Sequence, residues 1–418
     1  MSKLYQANFL YSTFYLSLLF GLIIWFITWL ILPVNTTPLS LETFCYICLS
    51  FSSLTIGYHI VKIKNIEKTV WLPHKFFFKF LIVILCVGLL FRYIDLFYFR
   101  NLSLSNPYYQ NKILSLNNSQ YTPLIVTLLG TLRALCYIPI LYLIVTKSKN
   151  KSLWIISITI LLLFSIEILL FGTRKPLFHL LILILITLGL TVKNYKQLLN
   201  KYTIGLLVFT TIGLGFFSYF ILNKRVTEVP VKNIKLIDVV NSRYNDFVPI
   251  KTSKLNDFKK SPNSLKTKTE LMLIHTGQYV VHGFYELDYI INNNLPRAYG
   301  KYSFNPIFKA LGRFNLGTDD ANTLTYHPRD YVYVSFFGSF FIDFGWFSLI
   351  IFFIYGMFQK LIVSFAKQNP FIMVLWVLTL CINLIMPIFN LASGVEFYLQ
   401  VFLILIAFTQ IKYNISNK

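Results

Sequence analysis

The turn FGTRKP at residues 171–176 sets Arg174 and Lys175 beside a proline, between two runs that are otherwise almost wholly apolar. A guanidinium presents a planar fork of donors that matches phosphate, so an arginine at the end of an apolar run suits a lipid diphosphate head group. Glu167, one to two turns earlier, is the competing partner for that arginine. Further charges lie inside apolar runs: Arg92 and Asp95, three apart on one helical face, then Arg133, Glu167, Asp343 and Glu396. Each such charge costs about 2.5–3.5 kcal/mol at the centre of a membrane span, so each needs a partner, a cavity or a function. Arg92 and Asp95 are spaced to neutralise one another, and Glu396 lies close enough to a span end to reach the interface.

The elements that must position these groups are membrane helices. Hydrophobic residues make up 56% of the 418-residue chain and charged residues 13%, with a mean hydropathy of +0.62, too apolar for a soluble protein of this size. A bilayer core of about 30 Å takes about 20 apolar residues per helix. Such runs occur at 9–32, 39–62, 76–99, 122–146, 152–171, 175–192, 202–222, 331–359, 369–389 and 395–412, which predicts ten spans. The first is read as a retained helix, since no small-residue cleavage site follows it. The net charge of +22 points to orientation signals more than to nucleic acid, because the lysines cluster in alternate short gaps: 62–79, 147–151, 193–201 and 360–368. The gaps between them, PVNTTP at 33–38 and NLASG at 390–394, carry no charge. The expected orientation therefore has both termini cytoplasmic. The five cysteines all lie in apolar runs, and the Cys45/Cys48 pair has no second ligand pair. Neither a disulfide framework nor a metal site is expected.

On this reading the chain divides into spans 1–7 at 1–222, a long extracytoplasmic loop at 223–330, and spans 8–10 at 331–418. The loop holds ten of the sixteen acidic residues, so polar chemistry concentrates there. Within it, LMLIHTGQYVVHGFYELDYII at 271–291 is amphipathic and too polar to span, which predicts a helix lying on or dipping into the outer leaflet. No internal repeat is apparent. His59 and His179 stand alone in apolar runs and are expected to be packing residues.

The stretch RDYVYVSFFGSFFIDFGWFSLIIFFIYGM at 329–357 resembles the end of the large outer loop and the helix after it in the oligosaccharide repeat unit polymerases, the Wzy-type O-antigen and capsule polymerases. FGTRKP is similar to the arginine turn which that family places at the outer end of a middle helix. With the length, the hydropathy and the single large outer loop, the resemblance covers most of the chain. Trp346 departs from it, standing where the family often has a second small residue after the DFG triplet.

The resemblance implies an all-α polytopic fold related to the lipid-dependent, GT-C-like glycosyltransferases, working without metal or cofactor at the outer face of a bacterial inner membrane. Such an enzyme moves a growing glycan from undecaprenyl diphosphate onto the non-reducing end of a new lipid-linked repeat unit. Its partners would be the undecaprenyl-diphosphate-linked oligosaccharide, membrane lipid and a chain-length regulator, with no nucleic acid. The chemistry needs cations for the departing diphosphate, for which Arg174, Arg297, Arg313 and Arg329 are the candidates, and a base for the acceptor hydroxyl. His327, Asp330 and Asp343 are the candidates for that base; Glu286 is assigned to the substrate and stands with His282 in reserve. Asp330 has a competing role as a helix cap, and Asp343 as a buried hydrogen-bond acceptor. An O-antigen ligase and a polysaccharide flippase are the alternative functions.

Overall fold

The computed structural model describes residues 7–62, 66–70, 74–191, parts of 205–224, 236–242, 245–262, 264–293, 295–313, 326–329, 332–366, 369–409 and 412–415. Most of the seventh predicted span, 202–222, lies outside the described residues, as does Asp330. The architecture is almost entirely helical. The first half comprises α1 (Ala7–Ile31), α2 (Leu41–Ile60), α3 (His74–Tyr93), α4 (Tyr108–Asn117), α5 (Leu124–Thr131), α6 (Tyr137–Thr146), α7 (Lys151–Phe171) and α8 (Lys175–Thr191). Two short helices, α9 (Leu236–Val240) and α10 (Thr252–Lys260), lead into α11 (Leu265–Asn292) and α12 (Asn305–Arg313). The chain closes with α13 (Phe336–Phe344), α14 (Ser348–Ala366), α15 (Pro370–Ile385) and α16 (Val395–Thr409). Strands β1 (Ile66–Val70) and β2 (Lys412–Ile415) pair antiparallel, bringing the first lysine-rich gap to the C-terminal end.

Among the described residues, six helical segments are long and apolar enough to cross a membrane: 9–31, 41–60, 77–99, 124–146, 151–171 and 336–366. Three shorter apolar helices, 175–191, 370–385 and 397–406, accompany them. Helix α15 is buried on every face, from Pro370 to Asn383, as a helix apolar nearly all round must be. Elsewhere small residues set the approach. A Cβ on Gly57 would lie 1.9 Å from the Phe353 carbonyl oxygen, and one on Gly356 2.0 Å from that of Leu54, so α2 and α14 cross backbone to backbone.

Three spans are interrupted. Helix α3 ends in a π-helical turn, Ile94–Phe99, and the fourth predicted span is split between α5 and α6 by a 3-10 turn, Leu132–Cys136. The eighth predicted span, 331–359, is not one helix: α13 starts at Phe336 and stops at Gly345, whose φ of +56° needs a residue without a side chain. Trp346, the departure from the family pattern, packs edge-on to Tyr46 with ring centroids 5.4 Å apart.

The predicted uncharged gap at 33–38 meets the long loop. Val34 bridges Ile250 antiparallel, and Ser40 donates from both its backbone N–H (2.8 Å) and its hydroxyl (2.7 Å) to Asp288. The Asn390 N–H donates to the Val334 carbonyl. Helix α11 is not a surface helix. Its second half is buried between α1 and α13, with the Trp25 indole donating to the Val281 carbonyl (3.0 Å). Gly283 allows this closeness, since a Cβ there would lie 2.4 Å from the Pro387 carbonyl oxygen. The first half of α11 covers a small separate core of Ile237, Val240, Ile250, Phe258, Leu271 and Ile274.

Candidate functional site

Helix spacing places His282 and Glu286 four residues apart on one face of α11. The segment at 326–329 then lays His327 and Arg329 against that face. The Glu286 carboxylate is fully buried and faces three cations or cation precursors. His327 Nε2 lies 3.0 Å from its Oε2, and His282 Nε2 lies 3.0 Å from its Oε1. Arg329 donates from Nε to Oε1 at 2.9 Å. Arg329 also reaches Asp246 at 3.6 Å and stacks its guanidinium over Phe247, 4.3 Å from the ring centre. Burial alone would raise the Glu286 pKa; the two imidazoles and the Arg329 charge outweigh it and hold the carboxyl at about 2. Glu286 is therefore ionised at neutral pH and holds His327 through Nε2, which leaves Nδ1 as the ring nitrogen not engaged by it.

A pocket of about 250 Å³ opens beside this cluster, lined by Tyr302, Asn305, Pro306, Tyr333, Asn390 and Ser393 among others. Tyr302 belongs to both, standing edge-on to the His327 ring at 6.3 Å. Burial, with the Glu286 and Asp343 charges, pushes the Tyr302 hydroxyl well above its usual pKa, so it stays a neutral phenol. Tyr333, also in the lining, packs against Phe389 at 5.7 Å, and Lys175 of the arginine turn sits over that same Phe389 ring at 4.9 Å. The turn itself depends on Gly172, which ends α7 at φ +57° beneath Tyr108. Arg174 follows, half-buried, at the start of α8.

Glu167, the competing partner for Arg174, is committed elsewhere. Its carboxylate takes Arg133 Nε at 2.5 Å and Nη2 at 2.9 Å, and also binds Arg92. The expected Arg92–Asp95 pair is present at 2.6 Å.

Two other sequence candidates are engaged structurally. Asp343 is buried, and its two oxygens accept the backbone N–H groups of Gly300 (2.9 Å), Tyr302 (3.0 Å) and Ser303 (2.8 Å). A carboxylate that accepts from three amides clamps the 300–303 turn, which is the buried-acceptor role the sequence offered beside that of a base. Arg297 donates to the Phe341 carbonyl at 2.9 Å and lies over the Phe341 ring at 4.6 Å. It caps the end of α13. Arg329 is likewise occupied by Glu286 and Asp246. Asp330 lies outside the described residues, as do the side chains of Arg313 and Glu396. Sequence reasoning missed Asp246 and Phe247, since no local spacing ties them to Arg329. The His282/Glu286 spacing was a readable signal. Among the described residues no group of three His, Cys, Asp or Glu side chains could hold a metal ion.

The fold defines the class: an almost wholly α-helical protein embedded in a membrane. Beyond that class, comparison of the chain with family profiles, with curated proteins and with solved structures finds no match.

Proposed function

We propose that the protein is a membrane glycosyltransferase that polymerises lipid-diphosphate-linked oligosaccharide repeat units, of the Wzy type, at the outer face of a bacterial inner membrane. The observation that carries this reading is a pocket with two lining tyrosines: Tyr302 stands against His327, the partner of Glu286, and Tyr333 packs on Phe389, the ring under Lys175 of the arginine turn. Tyrosine rings and the Asn305 and Asn390 amides suit a sugar acceptor. In the reaction His327 takes the acceptor hydroxyl proton, the freed oxygen bonds to the anomeric carbon of the donor, and the anomeric carbon–oxygen bond to the diphosphate breaks. The diphosphate leaves on its lipid, with Arg174 stabilising its charge. Ten spans with cytoplasmic termini complete the reading. The nine apolar helices described and the run at 202–222 supply them, and the contact of the predicted outer gap at 33–38 with the long loop supports their alternation.

A flippase is the second reading, favoured by the broken fourth span with its buried ions, a feature that transporters use. Deletion of the gene, followed by electrophoresis of surface glycan and extraction of lipid-linked intermediates, tests both. Single repeat units on the acceptor core are expected. Full-length glycan left on its lipid carrier would make the protein a ligase, and single lipid-linked units with none at the surface would make it a flippase.

A further inference from the structure

The pocket of about 250 Å³ takes its lining from three separate stretches of chain, within 302–306, 332–339 and 390–393. Among the described residues, no charged side chain lines it. Its polar atoms are held in a definite order. Asn390 is fixed by its backbone N–H on the Val334 carbonyl (3.1 Å) and turns its side-chain oxygen to the Ala392 N–H (3.0 Å). What it offers a ligand is therefore the amide NH2, a donor. Ser393 and Ser339 are the reverse case. Each spends its one hydroxyl hydrogen on a carbonyl, Ser393 on that of Asn390 (2.9 Å) and Ser339 on that of Ser335 (3.0 Å), so each presents an oxygen as acceptor. The Tyr302 hydroxyl, kept protonated by burial and by the Glu286 and Asp343 charges, can do both.

A ligand that matches this lining must donate as well as accept, and gains nothing from a charge. Sugar hydroxyls donate and accept. A carboxylate or phosphate only accepts, so its oxygens would face those of Ser339 and Ser393 with no cation in the lining to offset its desolvation. The cations described nearby are engaged. Arg329 is held by Glu286 and Asp246, and Lys175 lies over Phe389, a ring outside the lining. Asp343, which accepts the Tyr302 N–H at 3.0 Å, adds a negative charge behind the pocket wall.

We propose that the acceptor sugar held here, the non-reducing terminal residue of the lipid-linked repeat unit, is uncharged, a neutral hexose or an N-acetylated hexosamine, and that uronic acids and other anionic sugars are turned away. Asn390 and Ser393 set that choice. The proposal rests on the polymerase reading for the role of the bound sugar as acceptor.

The deletion strain gives the first test. Methylation analysis of the single repeat units it accumulates should find a neutral or N-acetylated sugar at the non-reducing end; an anionic sugar there overturns the proposal. Binding to the purified full-length protein gives the second, by saturation-transfer NMR titration with methyl glycosides of glucose, galactose, mannose and their N-acetylamino forms, against those of glucuronic and galacturonic acid. At least one neutral glycoside should bind about tenfold or more tightly than either acid. Asn390→Asp keeps the oxygen that holds Ala392 and loses the donor, and should weaken that neutral glycoside about tenfold. Ser393→Lys brings a cation into the lining and should admit the acids. Acids bound as tightly as the neutral glycosides by the native protein, or no glycoside bound at all, overturns the proposal whatever the variants do. A deletion strain without single units, beside a neutral preference in the titrations, would remove the polymerase reading and leave the pocket's selectivity standing.

Discussion

His327 Nε2 lies 3.0 Å from Glu286 Oε2, joining residues 41 apart in the chain. Glu286 is fully buried on the inward face of α11, while His327 comes from the segment that leads into α13. An imidazole fixed this way by a carboxylate has one nitrogen committed and one to work with, which is the arrangement of a general base held in one tautomer.

Removing the carboxylate charge tests that arrangement. Glu286→Gln leaves Arg329 without its closest buried anion and His327 without its orienting partner, at a cost on the order of 3 kcal/mol in stability. Glycan polymerisation should fall by at least about a hundredfold per folded molecule, since general-base catalysis is worth that much. Glycan ladders at matched membrane levels, together with thermal melts, check the two effects separately. Long ladders from the folded variant would remove His327 and Glu286 from the chemistry.

The depressed Glu286 pKa predicts the acid limb of stability. A carboxyl held at about 2 in the fold against an ordinary 4.5 binds fewer protons folded than unfolded. Its contribution is complete above about pH 4.5 and is lost as the pH falls from there towards 2. Melting temperature in detergent should drop across that window in the native protein. The drop should be shallower in Glu286→Gln, which has no carboxyl to protonate.

Arg174→Ala should abolish polymerisation and Arg174→Lys should reduce it strongly, because a lysine keeps the charge and loses the fork. Loss of one anion-stabilising donor typically costs about 2.7–4 kcal/mol in the transition state. The double variant Arg174→Ala with Glu167→Ala should rescue nothing, since Glu167 is held by Arg92 and Arg133. Rescue in glycan ladders would mean that Arg174 serves only to balance Glu167.

Asp343→Asn separates a clamp from a base. The amide keeps one acceptor oxygen and faces the backbone N–H groups of Gly300, Tyr302 and Ser303 with a donor, at a cost of about 1–3 kcal/mol. The melting temperature should fall while activity per folded molecule falls much less than in His327→Ala. A fully stable but inactive Asp343→Asn would instead make Asp343 the base.

The sequence by itself determined that the chain lives in a membrane and roughly where its helices run. Hydropathy is a local property, and an apolar run of about 20 residues has few other destinations. The Arg92–Asp95 pair and the His282/Glu286 face were legible for the same reason, because three- and four-residue spacings are set by the helix itself. Only the tertiary structure decided which charge meets which. Glu167 turns to Arg133 and Arg92, Asp343 to the turn at 300–303, and Arg297 to the end of α13, although each was open to a functional partner in the sequence. A buried charge takes whichever opposite dipole the packing of distant helices delivers within about 3 Å, and that delivery depends on crossings such as Gly57 against Phe353 and Gly283 against Pro387. The breaks at Leu132–Cys136 and Gly345 have the same origin. Apolar residues run through both, and the breaks fall where Arg133 meets Glu167 and where Gly345, at positive φ, lies against Arg297.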